Sequence, residues 1–312
     1  VLVAGAEERG VVHERRPEDV VDLQARAPAE LAGDRGDRAE VIVDDVADSF
    51  DYHNKYAIIQ YLKDISEDDI FKMIIMTHNF DFFRTIESRF VGYPNCLMAS
   101  KNDTGVTLSK ASGIRNIFTR DWKKEFFTND KKKIACIPFL RNLVEMTNGE
   151  DDPHFVKLTS MLHWKDDTDK LSVGELDQIY NDICKPNGKS GAPKKLIHEL
   201  ISEQAETCLK GSTSLENKIV LAIAIRLVSE RFMIARIADH TFVANIKANQ
   251  AYGLLEKFKE KFPAEKQTIA TLDQVALMTP ENIHVNSFMY EPIIDMSDDH
   301  LRKLYGKVKA LK

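Results

Sequence analysis

Two short apolar runs that each end in polar side chains set the reading of the first half of the chain. Val41-Ile42-Val43 stops at Asp44-Asp45, and Phe71-Lys72-Met73-Ile74-Ile75-Met76 stops at Thr77-His78-Asn79. Between them, Tyr56, Ile58, Ile59, Tyr61 and Leu62 recur at helical spacing. The pattern predicts strand, helix, strand: a βαβ unit whose buried parallel strands both deliver polar residues at their C-terminal ends. In open α/β sheets that edge is where ligands bind. Further on, Cys96–Ala99 and Val106–Leu108 flank Lys101-Asn102-Asp103-Thr104-Gly105, a turn with Gly in a suitable place. This predicts a β-hairpin that completes the same sheet. From Ile134 onward the periodicity becomes helical, over 134–148, 153–163, 173–184, 194–209, 214–239, 241–261 and 298–310. The stretches Lys165–Lys170 and Lys185–Pro193 read as linkers between those helices.

Composition divides the chain differently. Residues 1–40 use only Val, Leu, Ala, Gly, Glu, Arg, His, Pro, Asp and Gln, whereas the chain from Val41 is rich in Lys, Asn, Ile and Phe. All ten of those residue types can be encoded with G or C at the first base, and every absent type requires A or T there. A gene with G or C at its third codon positions reads this way when translated one base out of frame. The segment 1–40 is therefore expected to be out-of-frame or disordered, its alternative being a solvated Ala/Arg/Glu-rich helical arm. Its six Arg against ten Asp and Glu give −4 of the chain's −6, so the other 272 of the 312 residues carry only −2.

A 43% apolar fraction with 29% charged residues excludes disordered, fibrous and membrane-spanning classes. No run of eighteen apolar residues occurs, and no signal-peptide apolar core stands at the N-terminus, so the expectation is a cytoplasmic protein without a membrane partner. Cys96, Cys136, Cys184 and Cys208 are too widely spaced for a zinc or redox motif and are expected to be reduced thiols. The mild net acidity argues against a whole-surface electrostatic grip on nucleic acid and leaves room for a local basic patch.

Two adjacent carboxylates after an apolar strand suit a Mg²⁺-nucleotide site: the first holds the metal or its water, and the second faces an attacking water. Acidic turns after strands are common, so the order that follows carries the weight. The stretch VIVDDVADSFDYHNKYAIIQYLKDI, then FKMIIMTHNFDFFRTIESRF, resembles the ABC-type ATPases, specifically the SMC/RecF-like branch found in bacterial phage-defence and anticodon-nuclease-associated ATPases. The resemblance covers about residues 41–90. It implies an α/β P-loop NTPase (ABC-type) C-terminal half-domain at 41–130, and the helical periodicity beyond it predicts a mainly α-helical region at 131–312. It implies ATP and Mg²⁺ as cofactors, with Asp44 as the Walker B metal ligand. Asp45 takes the place where most of the superfamily has the catalytic Glu, one methylene longer. By the same resemblance Ser49 and Asp51 belong to the D-loop, His78 is the switch histidine at the γ-phosphate, and a complete version dimerises around two nucleotides. The alternative for His78 is a strand-end histidine that caps the next helix.

Such ATPases hold the triphosphate with G-x-x-x-x-G-K-[ST] and add an LSGGQ-like loop from the opposite subunit. Neither motif is present in its expected place; the Walker A half is expected upstream of residue 1, and the signature loop is expected within 1–40. Gly188-Lys189-Ser190 imitates the end of a Walker A, but Ile183 stands at the required first Gly, so the stretch reads as a turn. Leu171-Ser172-Val173-Gly174-Glu175 imitates a signature, yet it follows the switch histidine; Ser172 with Glu175 is expected to be a capping box. The isolated chain is accordingly expected to hydrolyse ATP negligibly.

In the helical half, Arg226 and Glu230 with His240 suit a metal-independent RNase, in which Arg holds the phosphate and His moves protons. The alternative is an ordinary surface salt bridge, with His240 closing the helix. Asn282–Pro292 mixes polar and aromatic residues, and reads as a packed irregular loop. Lys131-Lys132-Lys133 and Lys123-Lys124, near Trp122, Phe126 and Phe127, form a local basic stripe compatible with DNA or RNA, the alternative being a solvated lysine face. A different class of reading makes the helical half a non-catalytic interaction module on an ATPase remnant.

Overall fold

The computed structural model describes residues 3–4, 39–46, 52–77, 79–102, 105–111, 118–210, 214–246, 249–279 and 298–311. They are mostly helical with a few small sheets, and the chain divides into two compact units, 1–114 and 115–312.

In the N-terminal unit, β1 is Val3–Ala4, β2 is Ala39–Asp44, α1 is Tyr52–Ser66 and β3 is Phe71–Met76. β2 and β3 pair in parallel, from Ala39 opposite Phe71 to Asp44 opposite Met76, with α1 as the crossover. The βαβ unit read from the sequence is thus present. β2 also runs across the compositional break, since Ala39 and Glu40 are in the same ladder as Val41. Behind β3 comes α2, Phe80–Ile86, started by Asn79, whose side chain accepts from the Phe82 amide at 2.9 Å. Ile59 and Leu62 of α1, Ile75 of β3 and Phe82, Phe83 and Ile86 of α2 form the buried core.

Burial alternates along β3: Phe71 and Ile75 point inward while Lys72 and Ile74 point outward. The expectation of strands buried on both faces is corrected here, because Ile42 is 65% and Ile74 41% exposed, opposite one another. A run of β-branched residues looks the same whether one or two faces are covered. β4, Leu97–Asn102, and β5, Gly105–Lys110, form the expected antiparallel hairpin. Among the described residues it is not part of the β2–β3 sheet: β4 pairs in parallel with β1, Val3 opposite Met98, and the order is β1-β4-β5. Apolar run length predicts a strand but carries no information about which sheet receives it.

In the C-terminal unit the helices are α3 Asp130–Asn148, α4 Pro153–Leu162, α5 Val173–Cys184, α6 Ile197–Cys208 and α7 Leu215–Ile237. They continue as α8 His240–Ala244, α9 Gln250–Lys261, α10 Lys266–Met278 and α11 Asp298–Lys309. Their starts follow from local chemistry: the Asn129, Asp152 and Ser214 side chains each accept from amides of the first turn of α3, α4 and α7. α7 is the axis of the unit, buried without interruption from Asn217 to Leu227 and packed against α3, α6, α9 and α11. A helix apolar all round is enclosed on every side. The span 241–261 is two helices rather than the one expected, because Asn245 closes α8 and Asn249 takes a left-handed φ of 52° before α9. The periodicity does not predict α10, whose buried residues are only Leu272 and Val275, a narrow stripe.

Two expected linkers are firmly built. In 165–170, the fully buried Thr168 donates to Ser160 O at 2.7 Å and to His163 O at 3.0 Å. The 185–193 loop is pinned by side chains described below. Among the described residues, no helix is long and apolar enough to cross a membrane.

Candidate functional site

Parallel pairing brings the C-terminal ends of β2 and β3 side by side. Asp44 is opposite Met76, and the Asp45 amide donates to Met76 O at 2.9 Å, so the ladder extends one residue beyond β2. Asp44 is exposed and Asp45 half-buried. Asp45 has φ of 49°, a left-handed conformation uncommon outside glycine, asparagine and aspartate. Successive residues of a regular strand point to opposite faces, and the turn at Asp45 ends that alternation where the carboxylates emerge. On the neighbouring strand, Thr77 is buried and its hydroxyl accepts from the Asn79 amide at 3.0 Å. That bond and the Asn79 cap fix the chain on either side of position 78. Asp44, Asp45, Thr77 and Asn79 therefore share one sheet edge. His78, Ser49 and Asp51 lie outside the described residues.

The donor set suits a particular class of metal site. Among the described residues no three His, Cys, Asp or Glu groups gather to form a metal cage. Mg²⁺ at a nucleotide needs less, since it keeps several waters and takes one or two carboxylates together with substrate phosphates. An exposed Asp44 at a strand end meets that requirement. A cavity of about 490 Å³ in the same unit is lined by Phe71, Met73, Phe90 and Leu97 among others, none of them on the carboxylate edge.

The residues singled out in the helical half have other surroundings. Arg226 and Glu230 are 2% and 0% exposed, so they are no surface salt bridge. The Arg226 guanidinium donates to Thr279 O. Glu230 accepts from the Trp164 amide at 2.7 Å and from Gln250 Nε2 at 2.9 Å, and its other oxygen is 2.7 Å from His163 Nδ1. Gln250 also donates to Trp164 O, so one buried carboxylate joins α7, α9 and the end of α4. His240 is exposed and begins α8, whose cap is Asp239 accepting from Phe242 N; it does not close α7. The set that sequence reasoning missed is His163, Gln250 and Thr168. The signal for it was the apolar periphery of α7, which leaves no solvent face for a glutamate.

The basic stripe is likewise altered. Lys133 is fully buried, donating to Asp177 at 2.9 Å and lying 5.1 Å from the Phe126 ring centroid. Burial alone would lower the Lys132 pKa, yet hydrogen bonds to Asp121 and Glu125 raise it. Only Lys131 of the three is without such a carboxylate partner among the described contacts, so a uniformly solvated lysine face is not what forms. Ser172 and Glu175 make the expected capping box. All four cysteines are free, and burial pushes the Cys136 thiol well above its ordinary range. Asn282–Pro292 lies outside the described residues.

A second cavity, of about 690 Å³, opens in the helical unit beside Trp164, His198, Ile201, Leu227 and Arg231. The Arg231 guanidinium lies 4.8 Å from the Trp164 ring, and burial lowers the His198 pKa from 6.5. Compared with known protein families, curated proteins and solved structures, the chain matches none.

Proposed function

We propose that the N-terminal unit is the Walker B and switch part of an ABC-type ATPase, of the SMC/RecF-like branch, acting in a bacterial defence or nucleic-acid-linked process in the cytoplasm. One observation carries the reading: parallel, in-register β2 and β3 bring Asp44 and Asp45 to the same edge as Thr77 and Asn79. The resemblance of residues 41–90 supplies the assignment of roles. Asp44 would hold the Mg²⁺ of bound ATP, and that ion would supply charge neutralisation to the phosphates. Asp45, half-buried and fixed by the Met76 carbonyl, is the water-orienting carboxylate. Its side chain is shorter than glutamate, and the left-handed backbone turn at φ 49° is what re-aims it. His78 is assigned to γ-phosphate sensing, with Ser49 and Asp51 in the loop that faces a second subunit.

The phosphate cradle G-x-x-x-x-G-K-[ST] is not in this sequence. The reading therefore predicts weak ATP-Mg²⁺ binding and no turnover by this chain alone. Fluorescent-ATP titration with Mg²⁺ tests it: Asp44→Ala should weaken binding at least tenfold and Asp45→Asn should leave it intact. ATP turnover above that of Asp45→Asn would refute the missing-cradle part. A second reading, a helical interaction module, is favoured by the cleft at Trp164 and Arg231. Binding of ATP-Mg²⁺ that is lost in Asp44→Ala argues against it.

A further inference from the structure

The loop between α5 and α6 contains Lys185, Lys189, Lys194 and Lys195 and no acidic residue from 185 to 196. Lys185, Lys189 and Lys194 are exposed and make no ion pair among the described residues, whereas Lys195 pairs with Glu203. Of the flanking acids, Asp177 is buried and bonded to the loop, whereas Asp182, 3.3 Å from His154 Nε2, and Glu199 are exposed. A solvated polar loop of this composition is ordinarily mobile. This one is held at both ends and in its middle. Asn181 exchanges two hydrogen bonds with the Gly188 backbone, at 2.8 and 3.0 Å. Asp177 accepts from Ser190 N at 2.8 Å and from Ser190 Oγ at 2.6 Å, and buried Lys133 donates to both Asp177 and Ser190. Val173 and Gly174 donate to Lys195 O and Pro193 O, both at 2.8 Å.

Enclosing an ammonium–carboxylate pair is a poor way to gain stability, because desolvation offsets most of the attraction. It is an effective way to fix geometry. Lys185 and Asn187 are held at φ of 57° and 55°, left-handed positions that glycine takes at no steric cost. Both features indicate a loop whose shape matters while its surface is purely cationic.

We infer that the Lys185–Lys195 loop is a preorganised docking site for the phosphate backbone of a nucleic-acid strand. Lysines act on phosphates as point charges and need no fork geometry. No large apolar side chain is present to enter a lipid surface. The site extends past the loop: Phe127 is only partly buried and packs beside Gly188, and Tyr180 Oη donates to Lys123 O at 3.0 Å, placing a further exposed lysine next to α5.

The test is fluorescence anisotropy of the full chain with labelled oligo-U. Three phosphate contacts give a log–log salt slope of about −2, a loss of roughly 20-fold in affinity between 50 and 200 mM salt. The triple variant K185Q/K189Q/K194Q should bind at least tenfold more weakly at low salt with a nearly flat slope. The charge-matched K170Q/K210Q/K266Q should bind as the parent does, and Ser190→Ala, which keeps every lysine but loosens the loop, should bind several-fold more weakly. Unchanged tryptophan fluorescence in each variant shows that the fold is intact. The inference is overturned by absence of oligo-U binding, by equal losses in both triple variants, by full binding in K185Q/K189Q/K194Q, or by preference for phosphatidylserine vesicles or polyglutamate over oligo-U.

Discussion

Replacing Glu230 tests the arrangement that holds the helical unit together. The carboxylate is 0% exposed and serves the Trp164 amide, Gln250 Nε2 and His163 Nδ1, all within 2.9 Å. Glu230→Ala leaves the Trp164 amide and the His163 nitrogen enclosed without their acceptor and opens a void on α7. Removing one partner from a buried charged network costs about 3–5 kcal/mol. Glu230→Gln keeps the volume and one carbonyl oxygen for the Trp164 and Gln250 donors, and sets an amide opposite His163. It should cost only about 1 kcal/mol. Both tryptophans, Trp122 and Trp164, are in the C-terminal unit, so their fluorescence during urea unfolding reports that unit alone. With a denaturant slope of about 2 kcal/mol/M, the midpoint should fall by about 2 M in Glu230→Ala and about 0.5 M in Glu230→Gln. A fall below 0.5 M in the alanine variant, or equal falls in both, would refute the reasoning.

Other consequences follow from individual contacts. A Cβ on Gly188 would stand 2.2–2.7 Å from three Phe127 ring carbons, whereas one on Gly191 meets nothing within 4 Å. Gly188→Ala should therefore destabilise the unit by about 1–3 kcal/mol, and Gly191→Ala by none, in the same urea assay; equal effects would contradict the packing. Burial lowers the His198 pKa below 6.5, so the folded unit binds fewer protons than the unfolded chain in that range. This contribution is complete above pH 6.5 and is lost as the pH falls, and a His198→Gln variant should show a flatter fall in urea midpoint between pH 7 and 5. Burial raises the thiol pKa values of Cys136, Cys184 and Cys208, and Cys184 alone of the three is partly exposed. Iodoacetamide at pH 8 should modify Cys184 first and slowly, as read by mass spectrometry of peptides; equal labelling of Cys136 would show an open core.

What could be read from sequence was local. An apolar run ending in Asp44-Asp45, a helical period and a second run ending in Thr77 specify a βαβ unit because each signal spans a few residues. Ser172 and Glu175 stand three residues apart and form their capping box for the same reason. Lys133 lay in a lysine run and resembled its solvated neighbours; its partner Asp177 is 44 residues away. Glu230 four residues after Arg226 looked like a surface pair, yet its partners His163 and Gln250 lie 67 and 20 residues distant. The hairpin's sheet depended on Val3 and Ala4, far upstream, and a short apolar run carries no information about which strand it will pair with. For the candidate site, the sequence located Asp44 and Asp45 at a strand end. It did not reveal the left-handed turn at Asp45, the residue whose amide is bonded to Met76 O across the ladder.

The central claim is that the β2–β3 edge is the metal edge of an ATP site with Asp44 as its carboxylate. Mn²⁺·ATP, a paramagnetic substitute for Mg²⁺·ATP, can be titrated with the full chain and the protein-held fraction read from the enhancement of water-proton relaxation over that of Mn²⁺·ATP alone. The account predicts bound Mn²⁺ in the parent chain and in Asp64→Asn, an exposed carboxylate on α1, and its loss in Asp44→Ala. Equal Mn²⁺ binding by the parent and Asp44→Ala would contradict it.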